Sequence, residues 1–392
     1  MKYLTLFLVW IAYAHAGWLV PERDIDQKPA TIKVLLQKHT DGCLIESRGA
    51  FEVINPDNNA VVSTGWMGKR YYAYPHVQGI KWGEDFPDIF QLRIVPKSAD
   101  ATLLVDGVQV KGVLELYHVD DKLHVINEVD VENYLKSTLT TKFLSGDIHP
   151  EVMDSLAIAA RTNTYYTVMR DADAFWHVDA EEVGYNGYGL TLQNLNVDRA
   201  VDATKHLVMS YEGRPFPASW TEHCAGITAS FSRIFRKNIP CPNGIESRVA
   251  ANERENTKWT FSMSREKLAH LAKTNRITGI DLFLDDDSHK VYGIQVQDGK
   301  HHSHIDFFAL QEALGKDAIR SNDFTVKLVG NQIEFEGYGE GAGVGLCLYS
   351  ATQMAEGKEL APEILAKFFP FTHLQQQRSL PTSRYEEHHA ID

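Results

Sequence analysis

The stretch His149-Pro150-Glu151-Val152-Met153-Asp154-Ser155-Leu156-Ala157-Ile158-Ala159-Ala160-Arg161-Thr162-Asn163-Thr164-Tyr165-Tyr166-Thr167-Val168-Met169-Arg170 decides how the chain is read. Pro150 suits the first turn of a helix, and Glu151 and Asp154 place negative charge at the positive end of the helix dipole. Val152, Leu156, Ala159 or Ala160, Asn163 and Thr167 recur at three-to-four spacing, and Ala157, Ala159 and Ala160 favour close packing. The spacing predicts one long helix from Pro150 to about Arg170.

The chain before this helix reads as strands. Ile32–Leu36, Gly49–Ile54 and Phe90–Val95 are short apolar runs, parted by turn formers at Asn55-Pro56-Asp57-Asn58 and Lys97-Ser98-Ala99-Asp100. Val105-Asp106-Gly107-Val108 carries an Asp-Gly hairpin signal, and Val113–Tyr117 alternates beside it. After the helix, Leu207–Tyr211 and Ala218–Trp220 read as β structure, and Val344–Ala355 and Pro362–Phe369 as helices split by Gly357. The expected class is α+β. A β-rich N-terminal section spans 30–125, a mixed α/β body spans 126–374 and shares a groove with it, and a polar tail spans 375–392.

Residues 1–16 read as a secretory signal peptide. Lys2 precedes an apolar run over Tyr3–Tyr13, and Ala14-His15-Ala16 supplies small residues before Gly17. About eleven apolar residues are too few to span a bilayer. The expectation is export to the periplasm or cell envelope, with no stable membrane span after cleavage. Across 392 residues, 52 acidic against 39 basic side chains give a formal charge of −13, which loss of Lys2 makes −14. That balance argues against nucleic acid as a partner.

Several chemistries fail on spacing. The alternating run Gly337-Tyr338-Gly339-Glu340-Gly341-Ala342-Gly343-Val344-Gly345 does not meet GxGxxG, and no Walker lysine, HExxH or GxSxG is present. The run reads either as backbone brought close to a ligand or as a tight bend. His301, His302 and His304 read as an exposed loop. No metal or cofactor is expected. Of the four cysteines, Cys224 and Cys241 are the closest pair, and a disulfide between them is expected to stabilise by about 3 kcal/mol, with Cys347 a buried thiol.

Four ordered blocks resemble the SpoIID/LytB (stage II sporulation protein D) family. Val125-Ile126-Asn127-Glu128-Val129-Asp130-Val131-Glu132-Asn133-Tyr134-Leu135-Lys136 is similar to its VNELPLEDYLKGVV block. His149–Thr162 is similar to PEALKAQAVAARTYA, Asn196–Thr204 to TDRAVAATRG, and Glu336–Ala355 to the glycine-rich GRGWGHGVGMSQYGAKGMA. The resemblance implies peptidoglycan as the partner. Some members are lytic transglycosylases that cut denuded glycan strands, and others are described as amidase enhancers.

The chain departs from that pattern where the chemistry resides. Lys142 stands where the resemblance implies the catalytic glutamate. Ala342, Cys347 and Leu348 replace the histidine, serine and glutamine of GHGVGMSQ, and Trp176–Val183 lacks the cysteines that bind zinc in some members. Two readings stay open. In one, glycan is cleaved in wall remodelling or division by a relocated carboxylate: Glu132, Glu151, Glu222 or Glu340. In the other, the groove binds glycan without cutting it and places another wall enzyme or a division protein. There Lys142, Arg161 and the Arg233–Lys237 run would meet anionic groups of the strand. Gly339, Gly341, Gly343 and Gly345 would line the groove, and Trp176, Tyr185, Tyr188 and Trp220 offer stacking faces. Arg161 equally suits a carboxylate pair between helices.

Overall fold

The computed structural model describes residues 29–98, 100–144, 147–189 and 194–379. The expected signal peptide and most of the polar tail lie outside them. The fold is mixed α+β with a β-rich N-terminal region, as the sequence implies.

Alternating burial drives two sheets together. One has seven strands in the order Val178–Asp179, Thr31–Thr40, Lys122–Asp130, Val113–Val119, Gln91–Pro96, Phe51–Asn55 and Ala60–Gly65. The other has six, in the order Val108–Val110, Thr102–Val105, Cys43–Arg48, Lys69–His76, Gly79–Trp82 and Glu84–Pro87. The Asp-Gly hairpin closes Val105 onto Val108, with Asp106 at φ 47° and Gly107 at φ 87°, the two left-handed residues of a primed turn.

The proposed boundary at 125/126 needs correction. It falls inside the Lys122–Asp130 strand, which pairs with Thr31–Thr40 on one side and Val113–Val119 on the other. No linker separates the β-rich section from the helical part of the chain, and one apolar core joins Ile32, Ile45, Trp82 and Leu116 to residues of the helices beyond.

Two helices come directly after that strand. Helix α1 (Val131–Lys142) is capped by Asp130, whose carboxylate accepts from the N–H groups of Glu132 and Asn133. Helix α2 (Pro150–Arg170) has the predicted bounds, with His149 as its N-cap. It is buried on several faces, from Val152 through Tyr165, because α1, the Leu195–Ala203 helix, the Leu207–Ser210 strand and the C-terminal helices surround it. Its alanines admit those close neighbours.

Sequence reasoning missed a further unit between residues 259 and 337. Two three-stranded antiparallel sheets and two helices (Arg265–Leu271 and Phe307–Leu314) enclose a separate core around Leu268, Val291, Ile294, Phe307 and Phe335. The histidines 301, 302 and 304 belong to its His301–Asp306 strand rather than to a loop. A two-residue turn at Gly299-Lys300 pairs Asp298 with His301.

Past α2, His177 ties the returning chain to the seven-stranded sheet, its Nδ1 accepting the Lys33 N–H at 3.0 Å. Burial lowers its pKa to about 4, with help from the Lys33 charge and against Asp171, Glu128 and Glu115. Folding therefore holds His177 neutral where the unfolded chain binds a proton. Its contribution is intact above pH ~6.5 and is lost as pH falls toward 4, a change on the order of 2 kcal/mol with solvent contact discounted. In His177→Gln, this part of the acid slope of Tm is expected to disappear.

Candidate functional site

The four candidate glutamates occupy different environments. Glu132 is buried and meets Arg161 through a fork: Nη2 to Oε2 at 2.7 Å and Nε to Oε1 at 3.0 Å. Arg161 is fully buried, so its assignment to strand binding is corrected: it clamps α2 to α1. Glu151 caps a neighbouring helix, its Oε2 accepting the Ala361 N–H at 2.8 Å at the start of Ala361–Phe368. Glu340 is exposed and paired with Arg320 at 2.9 Å. Glu222 is also exposed, and its charge is felt by Lys142.

The glycine loop is set against residues 219–223. Thr221, fully buried, donates from Oγ1 to Glu340 O at 2.8 Å and accepts from the Gly343 N–H at 3.2 Å. His223 and Glu340 exchange two backbone bonds, at 3.0 and 2.9 Å, and the Leu346 N–H donates to Ser219 O. Gly339, Gly341, Gly343 and Gly345 have φ of 80°, 91°, 63° and 79°. A Cβ at Gly341 would lie 2.4 Å from Glu222 Oε2, and one at Gly345 would lie 2.1 Å from Ser219 O. The glycines thus admit close approach by the chain's own 219–223 segment. They also displace the expected helix start: Leu346–Cys347 pairs in parallel with Trp220–Thr221, and the helix begins at Leu348.

Lys142, the last residue of α1, reaches this junction. Its Nζ lies 4.8 Å from the centre of the Trp220 ring. The side chain is exposed as a whole, yet its ammonium end loses water against the indole, which lowers its pKa; Glu222 opposes this and Lys316 adds to it. The outcome is a cation resting on an aromatic face, with the Glu222 carboxylate across from it and the glycine loop beside that carboxylate.

A buried ionic support lies behind the loop. Lys290 donates to Cys224 O and to Asp323 Oδ2, both at 2.8 Å, and Arg254 grips Asp323 at 2.6 and 2.8 Å while also donating to Ala225 O. Burial pushes the Asp323 pKa up, but Arg254 and Lys290 outweigh it and the net shift is downward. Nothing in the local sequence linked Lys290, Arg254 and Asp323, because they meet only when the 259–337 unit docks.

Other candidates lie elsewhere. Tyr185 is buried, donating to Asn127 at 2.7 Å. Trp176 stacks on His124 and helps line a separate pocket of about 280 Å³ with Phe90, Tyr117 and Phe175. Lys111 sits over Tyr188 at 3.9 Å, and Arg236 over Tyr292 at 5.5 Å. Among the described residues no group of three or more His, Cys, Asp or Glu is placed to hold a metal, and no helix is long and apolar enough to cross a membrane.

The expected Cys224–Cys241 disulfide is corrected. All four cysteines are buried thiols. Cys241 lies against the Ser232 hydroxyl at 3.4 Å, whereas Cys224 faces Cys347, to whose sulfur its N–H donates at 3.3 Å. Sequence proximity lost to the register between 220–221 and 346–347.

These observations define a class: an α+β protein whose central helix is clamped by a buried Arg–Glu pair and whose glycine loop frames a lysine–carboxylate junction. Residues 119–211 match the sequence model of SpoIID, stage II sporulation protein, a span running from the Lys122–Asp130 strand through α1 and α2 to Leu207–Ser210. The chain thus carries a SpoIID domain over residues 119–211.

Similar proteins include an uncharacterized one from Chlamydia muridarum, 38% identical over 192 residues, covering 48% of this chain and 66% of the relative. One from Chlamydia pneumoniae is 36% identical over 180 residues, 45% of this chain and 65% of the relative. An uncharacterized protein of Brachyspira hyodysenteriae is 26% identical over 331 residues, 83% of this chain and 87% of the relative. The matches to the two chlamydial proteins thus span just under two thirds of their lengths. The SpoIID domain points to a role connected with sporulation or the cell wall.

Proposed function

We propose that this protein is exported to the cell envelope and binds peptidoglycan glycan strands without cutting them, holding the strand for another wall enzyme or a division protein. The observation that carries this reading is Lys142: a cation on the Trp220 face, at the end of the SpoIID-domain helix α1. An ammonium held on an indole face receives a carboxylate such as the lactyl group of muramic acid. With a formal charge of −13, the protein meets an anionic strand against its overall field, so binding falls to local cations.

Proton donation to a glycosidic oxygen favours a carboxyl group whose pKa is raised by an apolar enclosure. None of the four glutamates combines burial with an unengaged carboxyl: Glu132 is clamped by Arg161, Glu151 caps a helix, and Glu222 and Glu340 are exposed. One observation favours a second reading, cleavage by Glu222, because its carboxylate lies directly against Gly341 and opposite Lys142.

Co-sedimentation with denuded glycan tests the binding reading. Lys142→Ala is expected to weaken retention roughly tenfold, about 1.4 kcal/mol; unchanged retention would sink the assignment. Because desolvation lowers the Lys142 pKa, retention is expected to fall with rising pH before the ordinary lysine value near ~10.4 is reached. Lys142→Arg is expected to remove that decline.

A further inference from the structure

We propose that Cys224 and Cys347 are a disulfide-forming pair, whose oxidation covalently joins the 219–224 segment to the far end of the glycine loop. The proposal stands apart from the glycan reading, since it rests on the two thiols alone.

The backbone already holds the partners in register. Thr221 pairs with Cys347 in a parallel bridge, the Tyr349 N–H donates to Glu222 O at 3.1 Å, and the Cys224 N–H donates to Cys347 Sγ at 3.3 Å. Ser350 Oγ donates to the same Cys347 sulfur at 3.4 Å, so Cys347 Sγ lies against the Cys224 backbone with its thiol close by. Both cysteines are fully buried, so neither presents a nucleophile to substrate. With no third His, Cys, Asp or Glu placed to complete a metal set among the described residues, metal binding has no support. Disulfide chemistry is what two adjacent thiols can do here.

The pair is also polarised for exchange. Cys347 is the N-cap of the Leu348–Glu356 helix, where the helix dipole favours a thiolate. Hydrogen bonding from Cys224 lowers the Cys347 pKa, burial opposes this, and Ser350 adds to the lowering. The oxidant is a low-molecular-weight disulfide of the glutathione type. The Cys347 thiolate attacks one of its sulfurs, forming a mixed disulfide and releasing one small thiolate. Cys224, giving its proton to that thiolate, then attacks the Cys347 sulfur and expels the second small thiolate, which takes a proton from solvent. Two protein thiols are oxidised, one external disulfide is reduced to two thiols, and two electrons move. Because both sulfurs are buried, exchange takes place during folding or when the loop opens.

The bond would span 123 positions of sequence and bracket the loop that carries Glu340 beside Glu222. A cross-link over so long a loop restricts the unfolded chain strongly.

The test is to refold the full chain in a glutathione redox buffer, alkylate free thiols and map peptides by mass spectrometry without reduction. The expected result is a Cys224–Cys347 cross-linked peptide, with Cys43 and Cys241 alkylated. A variant carrying Cys43→Ser and Cys241→Ser, which keeps only the proposed pair, is expected to form the same bond. Its Tm is expected to fall on the order of 5 °C when reductant is added. Alkylation of all four cysteines, or a Cys224–Cys241 peptide, would overturn the proposal. So would a Tm in the double variant that does not respond to reductant.

Discussion

Arg161→Ala is expected to destabilise the protein by about 3–5 kcal/mol, a large part of a typical total stability. All five guanidinium donor directions are engaged. Nε and Nη2 fork onto Glu132, Nη2 also reaches Val201 O, and Nη1 reaches Thr204 Oγ1 and Leu207 O. The side chain therefore holds α1, α2, the Leu195–Ala203 helix and the Leu207–Ser210 strand at once. Alanine leaves the Glu132 carboxylate buried with only His206, among the described residues, to face it, through its N–H at 3.3 Å and its ring Nδ1 at 3.8 Å. Lysine keeps the charge but cannot reproduce the fork, so Arg161→Lys is expected to fall between. Replacing both partners by methionine is expected to recover much of the loss, because no charge is then stranded. Denaturant melts of the four proteins check this, and equal stability of Arg161→Ala and wild type would show that the clamp is not structural.

Gly345→Ala is expected to cost about 3 kcal/mol or more, combining a left-handed backbone with a collision. Gly345 sits at φ 79°, and a Cβ there would lie 2.1 Å from the Ser219 carbonyl oxygen, a backbone atom that accepts the Leu346 N–H. The Trp220–Thr221 pairing with Leu346–Cys347 would have to part, and the loop would move away from Glu222. Gly330, at φ 57° with open space around it, provides the comparison: Gly330→Ala carries the backbone strain without the collision. Its cost is expected to be near 1 kcal/mol. Thermal melts distinguish the two, and similar losses would mean that close packing at 345 contributes nothing.

The contrast between these residues shows where the sequence was legible. Helix α2 was read to its ends because proline, early acids and apolar spacing all act within one element. The Asp-Gly turn was read for the same reason. Lys142 is legible from its position in a resembling block, and its place over Trp220 gives it a physical setting. The Cys224–Cys347 neighbourhood was misread because nearness along the chain stood in for nearness in space; the strand register that decides it joins segments more than a hundred residues apart. The Asp323–Lys290–Arg254 support was invisible for the same reason. Polar residues at an interface between units carry no periodicity. The helix expected from Val344 failed because Gly343 and Gly345 take left-handed backbone that a helix cannot use.

Muropeptide analysis of denuded glycan incubated with the wild-type protein and with Glu222→Gln separates strand holding from strand cutting. Wild type is expected to co-sediment with the strands and to yield no 1,6-anhydro ends, and Glu222→Gln to do the same. Release of 1,6-anhydro products by wild type, abolished in Glu222→Gln, would contradict it and make Glu222 the catalytic acid.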